Sequence, residues 1–180
     1  MAWTSPLTAV ANTTLTAAQW NTFLRDNLNA QGPTAATAAG QYLVTTGFSS
    51  MVMRIPGVQY IGTSDTTTSS TVTLLDSDGA EVTALTGSMA MVTIGSQISN
   101  STAGAGGLAA IDLSGDTERV ADDVNCVRAD SGNASDTFKM TYTTIYNPIN
   151  PGSNIFGMRY RATGGGTATF SGRLIVVLPF

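Results

Sequence analysis

Ile155-Phe156-Gly157-Met158-Arg159-Tyr160-Arg161, then Gly164-Gly165-Gly166, then Thr167-Ala168-Thr169-Phe170, then Arg173-Leu174-Ile175-Val176-Val177-Leu178: read in order, these stretches decide the class of the chain. Side chains of a strand point alternately to opposite faces, so a period of two is the signature of a half-buried strand. The triple glycine reads as a hairpin loop between two such strands. The closing apolar run suits a strand buried on both faces. Working outward, Phe138-Lys139-Met140-Thr141-Tyr142-Thr143-Thr144-Ile145 alternates in the same way, and Leu108-Ala109-Ala110-Ile111 forms a shorter run. Met89, Met91, Ile94 and Ile98 make an imperfect one, Thr71-Val72-Thr73-Leu74-Leu75 leads into the turn Asp76-Ser77-Asp78-Gly79, and Val120, Val124 and Val127 are the loosest. Seven to nine short strands between Gly57 and Phe180 predict a mainly β protein, with a jelly-roll-like β-sandwich body over 57–180.

Composition agrees. The chain has 180 residues, 42% of them hydrophobic, enough for one packed domain with an appendage. Only 11% are charged, against about 25% in ordinary soluble domains, and Thr, Ser and 19 Gly supply the polar surface instead. Thr fits a pleated surface and Gly fits turns. Eight basic residues face twelve acidic ones, and Lys139 is the sole lysine. A dense basic face for phosphates cannot be built, so no nucleic-acid partner is expected. No apolar run is long enough to cross a bilayer, and Met1-Ala2-Trp3-Thr4-Ser5-Pro6 lacks the marks of a secretory signal, so no membrane partner is expected.

The first thirty residues differ in kind. Thr16-Ala17-Ala18-Gln19 has the form of a capping box, with Leu15 and Trp20 placed as a hydrophobic staple across it. Trp20, Phe23, Leu24, Asn27 and Leu28 then recur at helical spacing, and Gly32-Pro33 stops the pattern. The spacing predicts a helix over about 17–29 in an arm of residues 1–32. A helix of that length is marginal alone in water. Burying its apolar side chains contributes about 1.5–3 kcal/mol each, against roughly 1–2 kcal/mol of backbone entropy per ordered residue. The stripe must therefore dock on something large, either this chain's own β domain or a different subunit. Residues 33–56 are rich in Thr, Ala and Gly, with the short apolar runs Tyr42-Leu43-Val44 and Met51-Val52-Met53. They read as two brief strands or an extended connector, a linker between arm and body that favours the second docking.

Catalytic chemistry is thinly supplied. With no histidine, Ser-His-Asp and Cys-His nucleophiles are excluded, and the lone Cys126 allows neither an intrachain disulfide nor a multi-cysteine zinc site. Asp76-Ser77-Asp78-Gly79-Ala80-Glu81 lacks the further ligands of an EF-hand and reads as a polar turn. Asp112, Asp116, Glu118, Asp122 and Asp123 read as solvated loop carboxylates, with an inter-subunit cation as the alternative. Cys126 reads as a small buried thiol. Arg159 and Arg161 share a strand face and would pair acids of a neighbouring subunit or hold an anionic ligand. Gly164-Gly165-Gly166-Thr167 lacks the Lys of a phosphate loop. The sequons at Asn12, Asn100 and Asn133 matter only in a secreted eukaryotic chain. No catalytic residue, cofactor or metal ligand is expected, and no enzymatic activity.

Two stretches resemble a known family. Thr16-Ala17-Ala18-Gln19-Trp20-Asn21-Thr22-Phe23-Leu24-Arg25-Asp26-Asn27-Leu28-Asn29-Ala30 resembles a helix near the N-terminus of many tailed-bacteriophage virion proteins, and Ala39-Gly40-Gln41-Tyr42-Leu43 through Met53-Arg54-Ile55 is similar to the segment often found behind it. The ending, Tyr160-Arg161-Ala162 through Pro179-Phe180, is similar to the last hairpin of phage fibre and decoration jelly rolls. The resemblance covers about a third of the chain. It implies a capsid decoration or head-fibre protein on the particle surface, commonly a trimer, partnered by a major capsid or other virion protein. In that setting Trp3, Leu15, Trp20, Phe23, Leu24 and Leu28 would form the anchor or subunit interface. The alternative is a minor tail or tail-fibre component whose sandwich binds a host receptor or glycan.

Overall fold

The computed structural model describes residues 14–25, 36–47, 50–75 and 79–180 of the chain. A helical segment comprises α1 (Ala17–Trp20) followed by a π-helical turn, Asn21–Arg25. The strands are β1 (Tyr42–Gly47), β2 (Ser50–Arg54), β3 (Gly57–Ile61), β4 (Asp65–Thr67), β5 (Glu81–Thr86), β6 (Ala90–Asn100), β7 (Gly106–Gly115), β8 (Cys126–Asp130), β9 (Thr137–Tyr146), β10 (Gly152–Thr163) and β11 (Ala168–Pro179).

Two antiparallel sheets make the body. One has the order β5-β10-β7-β8; the other runs β3-β11-β6-β9, with β4 pairing the front of β11 where β3 pairs its back. Counting β3 and β4 as one interrupted first strand, the sheets read 2-7-4-5 and 1-8-3-6. That alternation of consecutive strands between two sheets is the double Greek key of a jelly roll. The expected fold class is the observed one.

The core follows from strand periodicity. Along β5 every second residue is buried, and β6 turns Val92, Ile94 and Ile98 inward. Opposite them stand Ile111 from β7 and Phe156, Met158 and Tyr160 from β10, all at most 2% exposed. Tyr160 and Phe170 pack with ring centroids 4.9 Å apart, and Tyr146 meets Phe156 edge-on at 6.1 Å. Aromatic pairs of this geometry add about 0.5–1.5 kcal/mol beyond the area they bury.

Four local expectations are corrected. Gly164, Gly165 and Gly166 all adopt positive φ, as a tight loop of glycines allows, but β10 and β11 lie in different sheets. The loop crosses the sandwich and closes no hairpin. The run Arg173–Leu178 is buried on the inner side only: Ile175 and Val177 are inaccessible, whereas Leu174, Val176 and Leu178 on the outer side are partly open. Thr71–Leu75 forms no strand; Thr73 makes a single bridge to Tyr160, continuing the line of β5 along β10. Val120 and Val124 stand exposed in the β7–β8 connection, because the Asp122 carboxylate accepts from the Val124 and Asn125 amides and bends the chain there. The turn expected at Asp76-Ser77-Asp78 lies outside the described residues.

The β1–β2 pair is antiparallel. It is tied to the body where the Tyr42 hydroxyl donates to the Pro179 carbonyl at 2.5 Å.

Candidate functional site

Thr16 caps the helical segment as its sequence predicts. Its Oγ1 accepts from the Gln19 amide at 3.2 Å, and Gln19 Oε1 accepts from the Thr16 amide at 2.9 Å. Two amides that a helix start leaves orphaned are thereby satisfied within the segment itself. The helix widens after one turn, and the Asn21 amide is shared between the Ala17 and Ala18 carbonyls. No residue of Ala17–Arg25 is buried. Leu15 and Trp20 are 53% and 55% exposed, Leu24 is also exposed, and Phe23 is half-covered. Trp3, Leu28 and the rest of the expected helix lie outside the described residues.

Several charged residues of the body pair with one another. Asp112 pairs with Arg159 at 3.0 Å, and Asp123 pairs with Arg161 at 2.5 Å. The arginines were expected to meet a neighbouring subunit or an anion. Instead they pair within the chain: Asp112 lies on β7, the strand beside β10, and Asp123 lies on the β7–β8 connection, which folds back over β10. Asp116 accepts from the Ser153 amide at 2.6 Å, and Asp122 is used by the bend described above. These carboxylates are not convergent, and the described residues contain no group of three metal-ligating side chains. Cys126 is partly exposed, with its thiol donating to the Asp123 carbonyl at 3.1 Å. Burial and the nearby Asp123 and Asp122 raise its pKa, so it stays a thiol rather than a thiolate nucleophile.

Three apolar surfaces remain, and only hints of them were legible beforehand. On the outer side of the β3-β11-β6-β9 sheet, Leu178, Met91 and Ile145 form one cross-strand row. Val176 beside Val58, and Leu174 beside Tyr60, form two more. The Tyr60 ring is 65% exposed and lies over Gly62 and Gly172, where an added Cβ would meet it at 3.4 and 3.6 Å.

The second surface is the β8/β9 flank. Phe138 and Met140 point toward the core side of their sheet yet are 41% and 37% exposed. β8 faces this half of β9, with Asn125 before its start bonded to Tyr142 and Ser131 after its end bonded to Asp136, and it covers the two side chains only in part. Asn125, hydrogen-bonded to Tyr142 of β9, brings the exposed Val124 to the same flank.

The third surface lies on the opposite flank. There Gln59 of β3 accepts from the Glu81 amide of β5, and beside them is a cleft of about 350 Å³. Met53, Ile55, Pro56 and Leu85 line it together with Arg54.

No protein-family model and no curated protein matches the chain. Among solved structures it is similar to the structure of the infectious bursal disease virus Gx strain, at 18% identity and a TM-score of 0.44, over 76% of this chain and 36% of that one. It is also similar to that of the Gt strain, at 14% identity and a TM-score of 0.32, over 75% and 35%. The chain thus spans about a third of the length of each.

Proposed function

We propose that this chain is a non-enzymatic structural protein of a phage particle: an oligomeric capsid decoration or head-fibre protein, anchored by its N-terminal arm and displaying the jelly roll outward. The supporting observation is the unburied apolar stripe of the arm beside a core that is complete without it. Trp20, Leu15 and Leu24 face solvent on a segment whose cap is fully satisfied. Such a segment gains by burial elsewhere and costs the sandwich nothing to release. The resemblance of residues 16–30 to phage virion helices gives the partner class, a major capsid or other virion protein, and a trimer as the assembly. Jelly rolls also serve as lectin and cupin domains, so the fold alone does not choose this role.

Deleting residues 1–31 should leave a folded body that no longer associates with particles. Full occupancy of particles by the truncated protein would overturn the anchor.

The second reading, a tail component that binds a host glycan, has one observation in its favour. The Tyr60 ring, braced by two glycines and open on its other face, is a platform on which a sugar could stack. Glycan-array binding by the full chain that is lost in Tyr60→Ala would favour it.

A further inference from the structure

The β8/β9 flank and the cleft beside β5 stand at opposite edges of the same sandwich, and each has what the other lacks. β9 ends its sheet with ten residues, pairs only β6, and runs against it without a register shift. Monomeric proteins blunt such edges with bulges, prolines, charges or short length. Here the strand contains no proline, and Lys139 is its one charge. The sandwich's other edge strands, β3, β5 and β8, have five, six and five residues. Phe138 and Met140, on the core-facing side of that long edge, are only partly covered.

The cleft is apolar and open, with room for side chains of this kind. Charge also matches. Arg54 lines the cleft, and its Nε is buried without a hydrogen-bond partner among the described residues. Beside the start of β9 the exposed Asp136 carboxylate accepts from Ser131 and Asn133 through Oδ2 and has Oδ1 left to offer, whereas Asp130 is already paired with Arg128. A buried donor without a partner is destabilising, and a carboxylate arriving from outside would bring the Arg54 guanidinium a counter-charge at the cleft.

We propose that copies of this chain associate head to tail, with the β8/β9 flank of one seated against the β3/β5 flank of the next, and Phe138 and Met140 filling the cleft lined by Met53, Ile55 and Leu85. A contact between two different surfaces is heterologous and closes into a ring when its rotation permits, as three copies would require. β9 is about 34 Å long, and the two-sheet flank is about 20 Å across with side chains. These give on the order of 700 Å² per copy, near the roughly 800 Å² per partner of a stable interface. This rests on the oligomer proposed above and names the surfaces that build it.

The test uses the full chain and its mass in solution, with circular dichroism confirming the fold of each variant. The parent should run as a multiple of 18.5 kDa. Phe138→Lys with Met140→Lys should reduce it to one copy, and so should Leu85→Lys alone. Mixing the two variants should restore a two-copy species, because one intact flank then meets one intact cleft. A parent that is monomeric overturns the proposal. So does a flank variant of unchanged mass, or a cleft variant that keeps its mass while the flank variant loses it, the pattern of β9 pairing with itself. Hydrogen exchange on the unmodified parent guards against variants that misfold: β9 amides directed away from β6 should exchange slowly, and fast exchange there overturns the proposal. Trp20→Ser and Phe23→Ser should lose particle association at unchanged mass, so failure of the arm and failure of the flank contact are read separately.

Discussion

On the outer side of the β5-β10-β7-β8 sheet, Leu108 and Ala110 are wholly inaccessible, roofed by Ala121, Val72 and Cys126. On the outer side of the β3-β11-β6-β9 sheet, equally apolar positions are left open: Val58 is 62% exposed and Ile145 also 62%. The difference lies in the connections. Residues 116–125 fold back over the first sheet, held by the Arg161–Asp123 pair and by Asp112 of β7 accepting from the Ala121 amide, and residues 69–75 run along β10. A face roofed by its own chain belongs to the fold. Contiguous apolar residues left bare are where a partner can contribute.

The sharpest way to break that comparison is to put the same charge on both faces. Leu108→Asp places a carboxylate at a site with no solvent access, and the cost should be about 3–5 kcal/mol or loss of folding. Val58→Asp puts it in water already and should stay within about 0.5 kcal/mol. Urea unfolding of both variants measures the contrast; a large loss at Val58 would show that the second face is also closed by its own chain.

Alkaline titration probes the interior that both sheets share. Burial pushes the Tyr160 phenol up to about 12 from its ordinary value of 10, with the Arg173 guanidinium, 5.9 Å from the ring centroid, pulling the other way. The fold holds the neutral phenol, so its full contribution is present below pH 10 and falls away as the pH rises toward 12. At about 1.4 kcal/mol per unit, on the order of 2–3 kcal/mol is at stake. Tyr160→Phe should flatten that part of the stability profile while leaving the alkaline response of Tyr146, whose pKa burial also raises. An unchanged profile in Tyr160→Phe would mean that Tyr160 does not titrate in this window.

The two ion pairs on this side of the sheet should matter less, and unequally. Both side chains of Arg159–Asp112 are about one-fifth exposed, whereas Asp123 of the other pair is 57% exposed. Asp112→Asn should cost about 1 kcal/mol, and Asp123→Asn no more than a few tenths in the same urea assay. Equal losses would mean that exposure does not set the worth of these pairs.

The sandwich was legible because alternation is a short-range signal. Phe138–Ile145 and Ile155–Tyr160 declare two faces regardless of partner, and each became a strand. Which sheet a strand joins is a long-range matter. Gly164-Gly165-Gly166 looks the same whether it turns a hairpin or crosses between sheets, and only the pairing of β11 with β6 and β3 decides. The same limit hid the partners of Arg159 and Arg161: a strand face can be read locally, but neither the strand beside it nor the loop that folds over it can. Met140 and Phe138 carry the strand pattern, and their partial exposure comes from β9 being an edge strand, with β8 the edge strand of the sheet opposite, a placement invisible within either segment. Nor does the cleft have a linear signature, because Met53 and Leu85 meet only through the β1–β2 pair's place beside β5.

The smallest effect expected is the most informative about the arm. Thr16→Ala removes the hydroxyl that accepts from the Gln19 amide, a loss of about 1 kcal/mol for a helix start. In a cooperative unit of this size, 1 kcal/mol would lower Tm by about 2–4 °C. Because no residue of Ala17–Arg25 is buried, that loss should stay local: the melting of the sandwich should not move, while amide exchange over residues 17–25 speeds up. A shift of several degrees in the body's Tm would mean that the arm and the jelly roll unfold as one, and an anchor that must leave the sandwich to reach a particle could not be built that way.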